Sequence, residues 1–387
     1  MENQEQIHYD ILNLGKPEIC EEYERFVAGH ENGSFMQSLK WRGVKRAWRC
    51  EAVAVRNTAG AICASMLVLI KALPVVGTSL LYSPRGPVCD LHDEALLSCL
   101  FDGVFFLSRK YRACALRTDP FVMEDDEAFL SFMRKRGFEF TPHMPDGCTA
   151  QTRENYVLDI KGKSPEELFA RFKPKWRYNI RLAQRKGVVC RPYPKERLDD
   201  FYRLMLETGK RDGFAVRSKE YFERMMDSLG GDCRLYLCYK EGTALSGAIC
   251  VRYGGRTCYV YGASSNEGRS LMPNYLMQWR MIEWACESGC GLYDFMGIPH
   301  YDDPAHSNYG VYRFKQGFQG RVAVYAGEFT YVYSQKEMRL WNMCQKAFSA
   351  VQWGRYLLKR FLPDRAPVLP PDKPGLPVQA CKEGNPL

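Results

Sequence analysis

Cys50-Glu-Ala-Val-Ala-Val-Arg-Asn-Thr-Ala-Gly-Ala-Ile-Cys63 has a counterpart in the second half of the chain, Leu235-Tyr-Leu-Cys-Tyr-Lys-Glu-Gly-Thr-Ala-Leu-Ser-Gly-Ala-Ile-Cys250. Each reads as an apolar strand, a polar turn carrying glycine, and a second apolar strand, which is the pattern of a β-hairpin. The elements after each hairpin also match. Beyond the first hairpin and a further strand, Leu96, Leu97, Leu100, Phe101, Val104 and Leu107 recur at helical spacing within Asp93 to Tyr111, and Ala113-Cys-Ala-Leu-Arg-Thr-Asp-Pro120 reads as a strand. Beyond the second, Asn274 to Ser288 reads as a helix and leads into Gly291-Leu-Tyr-Asp-Phe-Met-Gly-Ile-Pro299. A repeated strand–helix–strand unit fixes the architecture before local detail does: two tandem α/β domains with mixed sheets and flanking helices. The first is expected over 1–150 and the second over 151–328. A helical segment over 329–361 would pack on the first, and a Pro-rich tail would fill 362–387.

The 387-residue length suits two such cores, and an apolar share of 46% with 13% aromatic residues provides material to fill them. Met1 to Asp10 is acidic and polar, without the basic start and apolar run of a secretory signal. Met66 to Tyr82, the most apolar stretch, is broken by Lys71, Pro74 and Gly77 and falls short of a membrane span. A cytoplasmic protein is the expectation. Its 16 cysteines include no C-x-x-C, and Cys286 and Cys290 find no second half among six dispersed histidines, so free thiols and no metal site are expected.

Net charge is a modest +9, but it is concentrated. Arg171, Lys173, Lys175, Arg177, Arg181, Arg185, Lys186 and Arg191 lie together with no acidic residue among them. Phe169 to Gly187 reads as one basic, aromatic-bearing helix closed by Gly187, and its spacing places Arg177, Arg181 and Arg185 on one face suited to phosphates. A solvated surface helix is the competing reading.

Lys175-Trp-Arg-Tyr-Asn-Ile-Arg-Leu-Ala-Gln-Arg-Lys-Gly-Val188 resembles the K-x-R-x-N-I-x-x-A-x-x-x-G-V signature of the FemABX family, tRNA-dependent non-ribosomal peptidyltransferases of peptidoglycan bridge formation. Gln37 to Lys45, Tyr82-Ser-Pro-Arg-Gly-Pro87, Arg211 to Arg217 with Tyr221, and Tyr309 to Gly320 resemble further family stretches in the expected order. The resemblance implies two acetyltransferase-like (GNAT-type) domains with a cleft between them, which agrees with the repeat. Only about forty residues separate Val188 from Gly230, leaving no room for the coiled-coil arm of some members, so the chain resembles the armless, FemX-like branch.

By resemblance, Lys45, Arg217 and Tyr221 hold the phosphates and peptide of a precursor, either UDP-MurNAc-pentapeptide or lipid II, with Tyr261 and Arg85 as further contacts. Arg, Lys and Tyr donors suit a diphosphate. Lys315 is the expected stabiliser of the tetrahedral oxyanion formed as an amine attacks the tRNA ester, with Phe314 orienting it beside the aminoacyl end. Lys175, Arg177, Arg181 and Arg185 would take the tRNA. The activated ester needs no nucleophilic side chain and no cofactor beyond aminoacyl-tRNA as co-substrate. Asp119, Asp294 and the substrate itself are open as the base. The implied activity is transfer of an amino acid from aminoacyl-tRNA to an amine of the precursor stem peptide, by a monomer.

Three rivals stand beside it. One is an acyl-CoA N-acyltransferase, for which Ser264-Ser-Asn-Glu-Gly-Arg-Ser-Leu271 is a poor pyrophosphate loop. Another is an aminoacyltransferase acting outside cell-wall synthesis, and the last a non-catalytic tRNA- or precursor-binding protein. Trp341, Phe348, Trp353 and Leu357, mixed with Lys346, Arg355, Lys359 and Arg360, allow peripheral contact with the inner membrane leaflet.

Overall fold

A computed structural model describes residues 7–73, 76–141 and 150–344. The described chain divides into two compact units, one made of the residues up to Gln151 together with those from Ala326 onward, the other of Thr152–Tyr325.

The first unit opens with β1 (His8–Ile11), α1 (Pro17–Gly29), α2 (Trp41–Val44), β2 (Arg49–Arg56), β3 (Ile62–Leu73) and β4 (Thr78–Ser83). It continues with α3 (Glu94–Lys110), β5 (Ala113–Thr118), α4 (Glu127–Lys135) and β6 (Glu139–Thr141). The second contains β7 (Glu154–Asp159), α5 (Pro165–Arg171), α6 (Pro174–Arg185), β8 (Val189–Tyr193), α7 (Leu198–Asp212), α8 (Lys219–Leu229), β9 (Cys233–Lys240), β10 (Thr243–Tyr253) and β11 (Arg256–Ser264). Then come α9 (Pro273–Glu287), β12 (Leu292–Gly297), α10 (Tyr309–Gln316) and β13 (Arg321–Val324), before β14 (Glu328–Val332) and a helix over 335–344, α11.

Both hairpins form as read, β2 against β3 and β9 against β10. The strand orders are β1-β2-β3-β4-β5-β14-β6 and β8-β9-β10-β11-β12-β7-β13. Among the described residues, the only parallel pair in each sheet is the one that brackets the long helix, β4 with β5 and β11 with β12. The repeat read from the hairpins therefore extends over seven strands. The sixth strand in each order is the exchanged one: β7, which follows the first repeat in sequence, lies between β12 and β13, and β14, which follows the second repeat, lies between β5 and β6.

This corrects the expectation of a helix from residue 329. Alternation of Phe329 and Tyr331 with Thr330 carries the strand, and Phe329 is buried against Phe129 and Phe140. Helix begins only at 335, where Met338 packs with Leu73, Leu80, Cys114 and Ala115 of the same unit. The rest of the 329–361 segment and the 362–387 tail lie outside the described residues.

Local chemistry fits each element. Asp93 caps α3 by accepting from the Leu96 amide, and the six apolar residues read at helical spacing are all buried. Central strands such as β3 are buried almost continuously, as expected where helices cover both faces. Gly187 takes a left-handed φ of 78° after α6, and the Val188 amide bonds back to Ala183, the closure the sequence indicated. No helix among the described residues is long and apolar enough to cross a membrane.

Candidate functional site

The two parallel pairs differ. In the first unit β4 and β5 stay paired from Ser79 opposite Ala113 to Ser83 opposite Thr118. In the second, β11 and β12 are paired only from Arg256 opposite Leu292 to Cys258 opposite Asp294, although β11 runs on to Ser264 and β12 to Gly297. The strands part beyond Asp294, leaving backbone on both sides of a gap.

Lys315 borders the gap from the β12 side. It lies in α10, 2% exposed, and its Nζ donates to the Gly297 carbonyl at 2.7 Å and the Met296 carbonyl at 3.3 Å. The strand end it grips is shaped for the purpose. Met296 has φ of 62°, and its amide donates to Asp294 Oδ1 at 2.7 Å. Asp294 is fully buried and also accepts from Asn155 Nδ2 at 3.2 and 3.3 Å and from Arg256 Nη1 at 3.2 Å. Its oxygens thus brace the β12 turn. Asn155 and Arg256 were not singled out from sequence, because their partners lie far along the chain; a polar Asn155 inside an apolar strand is the one local signal.

Tyr261 lies on the parted stretch of β11. Its ring packs edge-on to Phe222 and Tyr221, its hydroxyl lies 3.4 Å from that of Tyr221, and the Arg217 guanidinium sits 5.4 Å from the Tyr221 ring centre. Three residues expected to bind precursor are therefore one cluster, built by α8, the loop before it and β11. Both tyrosines are largely buried and Arg217 is half-buried.

In the first unit, Lys45 follows α2, half-buried, with its ammonium 5.4 Å from the Trp41 ring centre. Arg85, at φ of 58°, is 3% exposed and stacks on Phe121 at 4.6 Å. Its amide donates to Asp119 Oδ1 at 2.7 Å, and the Tyr82 hydroxyl donates to Oδ2 at 2.7 Å. Asp119 is thus a buried acceptor at the end of β5.

Burial pushes the Asp119 carboxyl up to about 6, only partly opposed by Arg85. A folded value above the ordinary 3.8 means that the native state holds this proton more tightly than the unfolded chain. The contribution is fully present below about 4 and is lost as pH rises through about 6. Asp119→Asn, neutral throughout, is expected to gain on wild type by roughly 2–3 kcal/mol between pH 4 and 6, at about 1.4 kcal/mol per pH unit. Urea unfolding of both proteins across that window measures the difference. A constant difference would contradict the assignment.

The basic stretch is helical but not one helix: α5 ends at Arg171, Phe172 and Lys173 are extended ahead of Pro174, and α6 carries the rest. Lys175, Arg181 and Arg185 are exposed on it and Arg177 is partly so, while Asn179, Ile180 and Ala183 face the core. Arg181 stacks on Phe169 at 5.2 Å and Arg185 on Tyr178 at 5.6 Å, which orders the two guanidinium groups. The loop after β11 is occupied by the protein itself. The Ser265 amide bonds to Leu245, Asn266 to the Glu207 carboxylate, Glu267 to Ser265 Oγ, Leu271 to Gly268 and Met272 to Arg269.

The FemAB family model matches residues 19–243 and 238–346. A lipid II:glycine glycyltransferase of Staphylococcus haemolyticus (strain JCSC1435) is 29% identical over 388 residues, covering 81% of this chain and 92% of that protein. A protein of the same name from Staphylococcus aureus (strain USA300) is 28% identical over 389 residues, with the same shares. Among solved structures, FemX superposes with a TM-score of 0.77 at 26% identity over 86% of this chain and 99% of its own. A tandem GNAT protein from the clavulanic acid biosynthesis pathway shares the fold, with a TM-score of 0.51 at 14% identity over 84% of this chain and 98% of its own. Tandem acetyltransferase-like domains, as the repeat and the resemblance implied, are the architecture, and the chain belongs to the FemAB family.

Proposed function

We propose that this protein is an aminoacyltransferase that moves an amino acid from aminoacyl-tRNA to an amine of a peptidoglycan-precursor stem peptide. The observation that carries it is Lys315, fixed by two carbonyls at the strand end where β12 leaves β11, with the Tyr261–Tyr221–Arg217 cluster on the β11 side. The acceptor nitrogen attacks the ester carbonyl carbon, and a C–N bond forms. The C–O bond to the tRNA ribose then breaks, its oxygen leaves with a proton, and the attacking amine loses one. Lys315 offsets the negative charge on the carbonyl oxygen in between, with no reorganisation needed at the moment of reaction. Arg217, Tyr221, Tyr261, Lys45 and Arg85 are assigned to the precursor, and Lys175, Arg177, Arg181 and Arg185 to tRNA phosphates. Phe314 orients the aminoacyl end.

The names of the glycyltransferase relatives favour lipid-linked precursor over the nucleotide-linked form. Charged tRNA places the reaction on the cytoplasmic side. Acyl-CoA as donor is disfavoured by the loop after β11, whose amides at 265, 266, 267, 271 and 272 already have acceptors and against which the Glu207 carboxylate of α7 would repel a pyrophosphate.

Mass spectrometry of lipid-linked and nucleotide-linked precursors after incubation with a pool of charged tRNAs tests the reading. A mass gain equal to one aminoacyl residue supports it. Binding of both substrates without transfer would favour the non-catalytic alternative, and acetyl transfer from acetyl-CoA the other. Arg217→Ala is expected to raise the precursor KM about 10- to 100-fold with kcat nearly unchanged, the size of one charge-assisted hydrogen bond. An equal fall in kcat would move Arg217 from binding to chemistry.

A further inference from the structure

The C-terminal turn of α10 carries Phe314 and Lys315, and its last carbonyls have no partners within the helix. Two of the donors around this turn come from the start of α6 and the residue that caps it. Trp176 Nε1 donates to the Phe314 carbonyl at 2.8 Å, and the Lys173 amide donates to the Gly317 carbonyl at 3.0 Å. Lys173 Nζ reaches Gln316 Oε1 at 3.1 Å. The indole also lies so close over the turn that a Cβ on Gly317 would stand 1.9 Å from its Cε2, although Gly317 has ordinary helical backbone angles. Close approach, not conformation, is what requires glycine there. Tyr275, at the start of α9, packs edge-on to both Trp176 at 5.6 Å and Phe314 at 5.0 Å and holds the pair from a third element.

We infer that Trp176 is a positioning residue: its indole clamps the Phe314–Lys315 turn to the first turn of α6, so the helix bearing the exposed cationic face also sets the place of the lysine at the strand gap. The inference rests on the proposed transfer reaction for its kinetic consequence, but the clamp itself is a property of the protein alone. Removing one indole N–H leaves the Phe314 carbonyl without that donor while a benzyl ring still fills the space. Adding one methyl at Gly317 displaces the indole without touching its chemistry. The two changes act on the same contact from opposite sides.

Trp176→Phe and Gly317→Ala are compared with wild type in two measurements. Hydrogen exchange of the substrate-free proteins is expected to be at least tenfold faster across residues 309–318 in both variants, with exchange in β9 and β10 unchanged, which also shows that they fold. In the transfer assay with charged tRNA and lipid-linked precursor, kcat is expected to fall about tenfold in each with the precursor KM unchanged. The double variant should lose little more than either single one. If wild type transfers nothing, the functional reading fails while the exchange result still decides the clamp. Wild-type exchange at 309–318 in both folded variants, or unaltered kcat despite faster exchange, would overturn the positioning role.

Discussion

Lys315→Met is expected to lower kcat for aminoacyl transfer by about 10²–10³-fold while leaving the precursor KM within a factor of a few. That is the range seen when one preorganised donor to a developing oxyanion is removed. Methionine retains the apolar stem in a site that is 2% exposed, so packing is largely kept. What disappears is a positive charge held 2.7 Å from the Gly297 carbonyl. Loss of that donor leaves a buried carbonyl short of a partner, for a stability loss of about 1–3 kcal/mol. Lys315→Arg is not expected to restore activity, because a planar fork cannot occupy the site of a compact ammonium between two adjacent carbonyls. Single-turnover kinetics with preformed enzyme–substrate complex isolates the step. A variant with intact single-turnover rate and only a raised KM would remove Lys315 from the chemistry and return it to binding.

The fold was legible where the signal is local. Polar turns between apolar runs marked the hairpins, and the apolar residues recurring from Leu96 to Leu107, all of them buried, marked α3. β14 was not legible as a strand. Its partners are Arg117 and Leu116 on one side and Phe140 and Glu139 on the other, about two hundred residues earlier, and an alternation of only three residues, Phe329 to Tyr331, is too short to announce such pairing. The site divides in the same way. Arg217 and Tyr221 are four residues apart and could be read together; Tyr261 joins them only through the sheet. The burial of Lys315 was not legible, since the eight residues of α10 are too few to show which face is covered. Met296 is the least legible. Methionine has no preference for a left-handed backbone, so the turn that presents two carbonyls to Lys315 is set by Asp294, Asn155 and Arg256 rather than by its own chemistry.

That dependence makes Asp294→Ala the substitution expected to cost the fold most, about 3–5 kcal/mol, with loss of activity even in the fraction that remains folded. Asp294 is fully buried and Arg256 has 15% of its side chain exposed, so deleting the carboxylate removes an anion 3.2 Å from a largely desolvated guanidinium. It also removes the acceptor for the Met296 amide. A non-glycine residue at φ of 62° is disfavoured by about 1–2 kcal/mol. Without the 2.7 Å bond that holds it there, Met296 is free to relax toward extended backbone, turning its carbonyl and that of Gly297 away from Lys315. Asp294→Asn keeps an acceptor for that amide and the shape of the side chain, and is expected to lose less stability and retain more activity. Replacing both partners, Arg256→Met with Asp294→Asn, should be less damaging than the sum of the single changes, because the two charges that attract each other at 3.2 Å are then removed together. Urea melts of the four proteins give the coupling energy. Additive losses would mean that Arg256 and Asp294 act independently, and that the strand end gripped by Lys315 is held by packing instead of by this ion pair.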